Sequence, residues 1–409
     1  MEYNFDELTE RRGTGSYKWD SDSRPDMIPL WVADMDFRTA PSIIKALEER
    51  VSTGIFGYVK VPDSYYEALC GWFERRHGWH IDRDNVIYTS GVVPAISAII
   101  KALTKPGEGV ILHTPAYNCF FSSIRNNGCR PVTSPLIRKE VAQSHGSESG
   151  RSPMQQAAGF SFEIDFRELE RLASERSNTL LLLCNPHNPT GRVWTREELE
   201  RTRDICRRHG VTVVSDEIHC ELVHPGFKYI PYQTVQPEAI ICCSPSKAFN
   251  IAGLQIANIV VGSGSPKSET ADSSDIYRLI DKAININEVC DVNPFGVIAL
   301  QQAYNHGGEW LEALNGYLYS NYLFLREYMA QHLPALRVCD SESTYLAWVD
   351  IGGLGLTADE VETRGKEHGV WVNAGTMYGG EGFIRINYAC PRARLAEGLK
   401  RLTAALHSI

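Results

Sequence analysis

Apolar and polar positions follow two rhythms along this 409-residue chain, and the rhythms trade places repeatedly. After Pro41, the residues Ile43, Leu47 and Val51 fall on one stripe with Ile44 beside it and Gly54 beyond, which predicts a helix. A second helix is predicted over 64–76, with Tyr65, Leu69, Trp72 and Phe73 inward, Asp63 as its cap and Gly78 as its terminator. From residue 86 onward, short apolar runs alternate with helical stripes. The spacing predicts strands at 86–89, 110–113 and 130–134, with helices over 94–103 and 118–126 between them. Helix 166–174, strand 179–184, helix 196–209 and strands 211–214, 239–243 and 255–261 follow. Repeated strand–helix units imply an α/β fold, a mostly parallel sheet covered on both faces.

Beyond about residue 290 the rhythm changes. Long helices at 295–304 and 310–332 precede short strands at 345–349 and 382–387. A large domain over 41–288 and a smaller α+β domain over 289–409 are therefore expected. The Gly-, Asp- and Pro-rich arm, 1–40, is expected to pack with the smaller domain. The polar stretches 138–159 and 262–275 have the composition of solvated surface loops, and a substrate lid is the alternative reading.

Composition narrows the class. With 43% hydrophobic and 22% charged residues the chain is ordinarily globular. A formal net charge of −9 argues against nucleic-acid and anionic-membrane partners. The eleven cysteines form no CxxC pair and no Cys/His spacing of a metal site. No signal peptide is read at Met1–Glu7 and no run reaches membrane-span length, so a soluble, reduced, cytoplasmic protein is expected.

Three strand ends carry the chemistry. The run 239–243 leads to Ser244-Pro245-Ser246-Lys247, the run 211–214 to Ser215-Asp216, and the run 179–184 to Asn185-Pro186-His187-Asn188. Ligands of open α/β sheets bind beyond the carboxyl ends of strands, so this amine, carboxylate and amide can meet. Pyridoxal 5'-phosphate (PLP) needs that set: a lysine for the Schiff base, an acid facing the pyridine nitrogen, and a donor for the ring oxygen. Asp216 also fits an ordinary cap. Gly91-Val92-Val93 opens a helix after strand 86–89, where backbone N–H groups can cradle the phosphate, with Ser244 and Ser246 adding hydroxyls. Tyr117 could stack on the ring or be a core aromatic. His219 could hydrogen-bond near the ring oxygen or be a satisfied histidine. Arg385, between Ile384 and Ile386, fits a clamp for an α-carboxylate or an exposed strand arginine.

Further segments carry a resemblance over nearly the whole chain. They are Arg12–Trp19, Pro29–Phe37, Phe56-Gly57-Tyr58, Pro115-Ala116-Tyr117, Asn188–Gly191, Ser215–His219, Ser246–Gln255, Ala303-Tyr304 with Trp310-Leu311, and Arg385-Ile386-Asn387. Together they resemble fold-type I PLP enzymes of the class I/II aminotransferase superfamily, and within it the MalY/PatB family of C–S lyases. The resemblance implies a PLP-dependent transferase fold of type I with Lys247 as the Schiff-base lysine. It makes Asp216 the partner of the pyridine nitrogen, Asn188 the ligand of the ring oxygen, Tyr117 the stacking ring and Arg385 the carboxylate clamp. Ala33 would line the substrate pocket. Tyr58 would reach the phosphate in the other subunit, which implies a homodimer with shared sites. Gln255 stands where aminotransferases of the superfamily carry a phosphate-pairing arginine. The implied reaction is β-elimination from a cysteine S-conjugate such as cystathionine, giving a thiol, pyruvate and ammonia. Lys247 would be the base, and Lys247 or Tyr58 the acid for the leaving sulfur. The alternatives are transamination of a non-dicarboxylic amino acid and a PLP-fold protein kept for partner binding.

Overall fold

Runs of four to seven residues, most of them apolar and buried, become the strands of one large sheet. The computed structural model describes residues 3–140, 159–262, 273–286 and 292–407. In chain order the elements begin with β1 (Ile28–Pro29), α1 (Pro41–Ser52), α2 (Asp63–His77), β2 (Val86–Thr89) and α3 (Val92–Leu103). Next come β3 (Gly109–Thr114), α4 (Asn118–Asn126), β4 (Arg130–Pro135), β5 (Ile137–Glu140), β6 (Phe160–Glu163) and α5 (Phe166–Ser174). They are followed by β7 (Asn178–Cys184), α6 (Arg196–His209), β8 (Thr212–Asp216), β9 (Ile240–Cys243) and β10 (Ala257–Val260). Then come α7 (Ser273–Asn285), α8 (Pro294–His306), α9 (Gly308–His332), β11 (Arg337–Val338) and β12 (Leu346–Asp350). The chain ends with α10 (Ala358–Glu367), β13 (Val370–Trp371), β14 (Asn373–Ala374), β15 (Phe383–Asn387) and α11 (Arg392–His407).

The large sheet runs β2-β10-β9-β8-β7-β3-β4. All pairs are parallel except those of β10, which lies antiparallel to β2 and to β9. Both faces are covered. Leu181 and Leu183 of β7 enter one core, with Val213 and Ile241, while Leu180 and Leu182 enter the other, with Val110 and Ile240. That is the two-residue alternation of a strand buried on both sides. A second sheet, β11-β12-β15-β14, carries Arg385 on β15.

Several boundaries differ from the sequence reading for identifiable reasons. Helix α3 starts at Val92 rather than at Pro94, because proline is tolerated in the first helical turn. Asp63 is not the cap of α2: Pro62 occupies that position, and Asp63 pairs with Arg83 at 2.6 Å. The stretch 138–159 is not wholly a loop, since Ile137–Glu140 pairs antiparallel with Phe160–Glu163. Residues 141–158 and 263–272 lie outside the described residues.

The arm is tied down by pairing and by charge. Ile28–Pro29 pairs in parallel with Val370–Trp371, and Trp31 stacks on Trp371 with centroids 4.1 Å apart. Lys18 and Asp36, 2% and 1% exposed, lie 3.3 Å apart. Arg11 reaches Asp34 and Asp36, each at 2.8 Å, and Arg394 reaches Asp36 at 3.3 Å. The strap 30–37 is then held from both sheets. Asn387 Nδ2 donates to the Val32 and Asp34 carbonyls, and Asn250 Nδ2 donates to those of Met35 and Phe37.

Burial pushes the Asp36 carboxyl up, but the Lys18 and Arg394 charges outweigh it and the net shift is downward. A depressed carboxyl stabilises the fold above its unfolded pKa, and that contribution is lost as pH falls through the folded value. Asp36→Asn is therefore expected to cost about 3 kcal/mol at pH 7 and to flatten the loss of stability on acidification below about pH 4. Denaturant midpoints at pH 7 and in the acid range check this; an unchanged midpoint at pH 7 contradicts it.

Candidate active site

The parallel strands end at one edge of the sheet. Cys184 is level with Asp216, and Asp216 with Cys242, so the loops after β7, β8 and β9 leave side by side. Asn188, Asp216 and Lys247 come from these three loops. Thr89 at the end of β2 pairs with Ala257, next to the residue that pairs with Cys243. Gly91 and Ser244 therefore begin loops on the same edge, separated by the one strand β10.

Lys247 keeps partial exposure, but its amine is turned inward and Nζ donates to the Ala33 carbonyl at 2.6 Å. Burial lowers its pKa to about 8, with Asp34 and Asp216 opposing and the Arg385 charge reinforcing the fall. A usable fraction of neutral amine is present near neutral pH. Asp216 is 5% exposed, and burial raises its carboxyl to about 7 against the opposing Ile218 N–H and Lys247 charge. Its Oδ1 accepts from Ile218 N at 3.1 Å. No helix follows it, so the side chain caps a turn rather than a helix.

Arg385 is 3% exposed, which removes the exposed-strand alternative. Its guanidinium lies 4.4 Å above the Tyr378 ring and donates to Asn188 Oδ1 and to the Trp31 carbonyl, each at 3.2 Å. Asn188 thus meets Arg385 across the two sheets. Gly191 closes the Asn188 loop with φ +73°, and a Cβ there would fall 1.9 Å from Ser341 Oγ. Glycine is required at that turn. His219 is buried and held neutral, its pKa lowered to about 3 by burial and by the Lys247 and Arg385 charges.

The other expected residues divide. Tyr117 caps α4, half-buried, and feels both Arg385 and Asp216. Gly91 caps α3, with Val92 and Val93 in the first turn. Ser244 Oγ is already engaged: it donates to the Ile256 carbonyl at 2.5 Å and accepts from Ser246 N at 3.0 Å. Tyr58 is 94% exposed, with Ile55 and Phe56 exposed beside it. It is not joined to this chain's own Lys247 by any hydrogen bond. Among the described residues no cluster has the make-up of a metal site, and no helix is long and apolar enough to cross a membrane.

The donor set fits PLP. Arg385 Nε and His219 Nδ1 are buried without hydrogen-bond partners, and such orphaned atoms mark where a polar ligand belongs. Sequence reasoning missed Tyr345, whose hydroxyl donates to the Ala33 carbonyl at 2.9 Å, and Asp34, the charge that most opposes the fall in the Lys247 pKa. Asp34 lies within Pro29–Phe37, one of the segments that carry the resemblance, but no periodicity distinguishes Tyr345 from a core tyrosine.

Residues 25–402 match the profile of the family described as aminotransferase class I and II. The chain belongs to that family. It is 37% identical to the cystathionine beta-lyase PatB of Bacillus subtilis, over 98% of this chain and all of that protein. It is 33% identical to the protein MalY of Escherichia coli, over the whole of both. Its fold matches the PLP-bound C–S lyase of Staphylococcus hominis with a TM-score of 0.84, 32% identity and 99% of each chain covered. The Staphylococcus hominis enzyme is PLP-bound, and this chain shares its fold.

In cofactor-free protein, Lys247 should be half-reactive toward an amine-directed reagent at about pH 8, well below an exposed lysine. Peptide mass spectrometry across a pH series checks this. A midpoint near that of ordinary lysines, about 10.4, contradicts the burial argument.

Proposed function

We propose that this protein is a PLP-dependent C–S β-lyase that cleaves cystathionine or another cysteine S-conjugate to a thiol, pyruvate and ammonia. The observation that carries the reading is the inward-turned amine of Lys247 with buried Asp216 and Asn188 on one edge of the large sheet, and buried Arg385 of the second sheet meeting Asn188, in a chain similar along its length to PatB. Lys247 would hold the cofactor covalently. Asp216 would face the pyridine nitrogen, Asn188 and His219 the ring oxygen, and Tyr117 the ring face. Backbone N–H groups of Gly91, Val92 and Val93, with Ser246 and Ser244, would hold the phosphate. Because the Ser244 proton is committed to Ile256, Ser246 is the freer hydroxyl of the pair. Bound PLP supplies an electrophilic aldehyde and a ring that draws electrons from the bonds at the substrate's α-carbon.

The chain's residues supply the rest. Arg385, buried and preorganised by Asn188 and the Trp31 carbonyl, takes the α-carboxylate in a two-point grip. Ala33 lines the pocket on the strap side. Lys247 Nζ takes the Cα proton as general base, and its lowered pKa suits that exchange near neutral pH. The leaving sulfur takes its proton from Lys247 or from a partner subunit's tyrosine equivalent to Tyr58. Tyr58, Phe56 and Ile55 form an exposed apolar loop of the kind a second copy covers, which favours a homodimer with shared sites. The cysteines among the described residues are free thiols, in keeping with a cytoplasmic protein.

Purified holoprotein given L-cystathionine is expected to release pyruvate and free thiol in equal amounts, and Lys247→Ala to lower the rate at least ~10³-fold. A keto acid formed without thiol would make it an aminotransferase instead, and neither product from any cysteine S-conjugate would end the proposal. Arg385→Lys keeps the charge but loses the fork, so kcat/KM should fall about 100-fold, read in the same assay. A loss below about threefold would remove Arg385 as the clamp.

A further inference from the structure

We propose that Tyr345 is a positioning residue for Lys247, acting through the carbonyl oxygen of Ala33. The inference rests on the reading of Lys247 as the cofactor-holding amine. Ala33 O accepts two hydrogen bonds, from Lys247 Nζ at 2.6 Å and from the Tyr345 hydroxyl at 2.9 Å. A carbonyl oxygen has two lone pairs, so these donors satisfy it between them. Lys247 must leave this oxygen whenever its nitrogen is engaged elsewhere. A carbonyl stripped of all donors is costly when removed from water. With Tyr345 in place, one donor stays behind. The strap 30–37 then keeps its position, including the Trp31 carbonyl that meets Arg385.

A second observation singles out this tyrosine among the buried ones. The residue before it, Thr344, has φ +69°, a left-handed conformation that β-branched residues rarely adopt. It is pinned there from several sides. Thr344 N donates to the Leu222 carbonyl at 2.7 Å, its own carbonyl accepts from the Tyr388 hydroxyl at 2.9 Å, and its Oγ1 accepts from Leu346 N at 3.2 Å. Strain held in this way clusters where a side chain must be aimed. Tyr345 is fully buried, edge-on to the His219 ring at 6.2 Å, and Phe would fill the same volume. The hydroxyl is therefore present for the Ala33 contact rather than for packing.

Asp34, Asp216, Arg385 and Cys119 are the groups whose charges reach Lys247, and Asp34, Arg385 and Tyr117 those that reach Tyr345. Removing one hydroxyl leaves all of them in place. In Tyr345→Phe, Ala33 O has Lys247 as its remaining donor and favours the ammonium form. Reductive methylation of Lys247 in the cofactor-free protein, followed by peptide mass spectrometry, should show its pH midpoint raised by about half a unit or more. The rate of PLP uptake, followed by absorbance, should fall several-fold, and kcat should fall about tenfold with little change in KM. A folded Tyr345→Phe with wild-type midpoint and uptake overturns the proposal. Placing 3-fluorotyrosine at position 345 alone keeps the ring and makes the phenol a stronger donor, so the midpoint should move down. An unmoved midpoint there overturns it equally, and covers the case in which Tyr345→Phe does not accumulate. Wild-type protein that takes up no PLP would overturn the underlying reading as well, and shows separately as a missing absorbance band.

Discussion

The carbonyls of the strap 30–37 hold together the groups on which the rest of the structure depends. Ala33 O takes the Lys247 amine from the large sheet's loops, and Trp31 O takes the Arg385 guanidinium from the small sheet. Asn250 and Asn387 grip neighbouring carbonyls from the same two sides. Backbone bonds at Leu30 and Asp36 satisfy part of the strap, and buried side-chain amides and cations take the carbonyls of Trp31 to Asp34, Met35 and Phe37. The consequence is positional: the two basic side chains of the proposed chemistry, Lys247 and Arg385, are fixed against a common piece of backbone.

Burial pushes two carboxyls in the same direction, upward, and the charges around them decide opposite outcomes. Around Asp36, the desolvation cost is outweighed by Lys18 and Arg394, and the carboxylate stays charged. At Asp216 no cation sits in contact, desolvation wins and the carboxyl rises to about 7. The first arrangement is a structural clamp. The second carries one hydrogen bond, from Ile218 N, and no cation in contact, and in the proposed function a protonated ring nitrogen would supply that charge. The same desolvation leaves Lys247 reactive near neutral pH. Perturbed groups of both signs at one strand edge are a mark of a functional site.

Much of this site was legible in the chain because three apolar runs each end in one chemistry-bearing residue. Strand topology carries such residues to one edge, so Lys247, Asp216 and Asn188 needed no knowledge of distant contacts. Arg385 was legible as a position but not as an environment, because strand alternation gives a side and not the Asn188 loop that meets it. The antiparallel course of β10 was hidden, since an apolar run has the same period in either direction. The β5–β6 hairpin was hidden by the polar stretch inserted between its strands. Tyr345 was illegible for a deeper reason: its role depends on a backbone conformation at Thr344 and on a carbonyl more than three hundred residues earlier.

The most direct test of the account is chemical. Holoprotein is reduced with borohydride, digested, and its peptides are weighed. The account predicts one pyridoxyl phosphate per chain, on the peptide that contains Lys247. Label on another lysine, or protein that carries no such label, would contradict it.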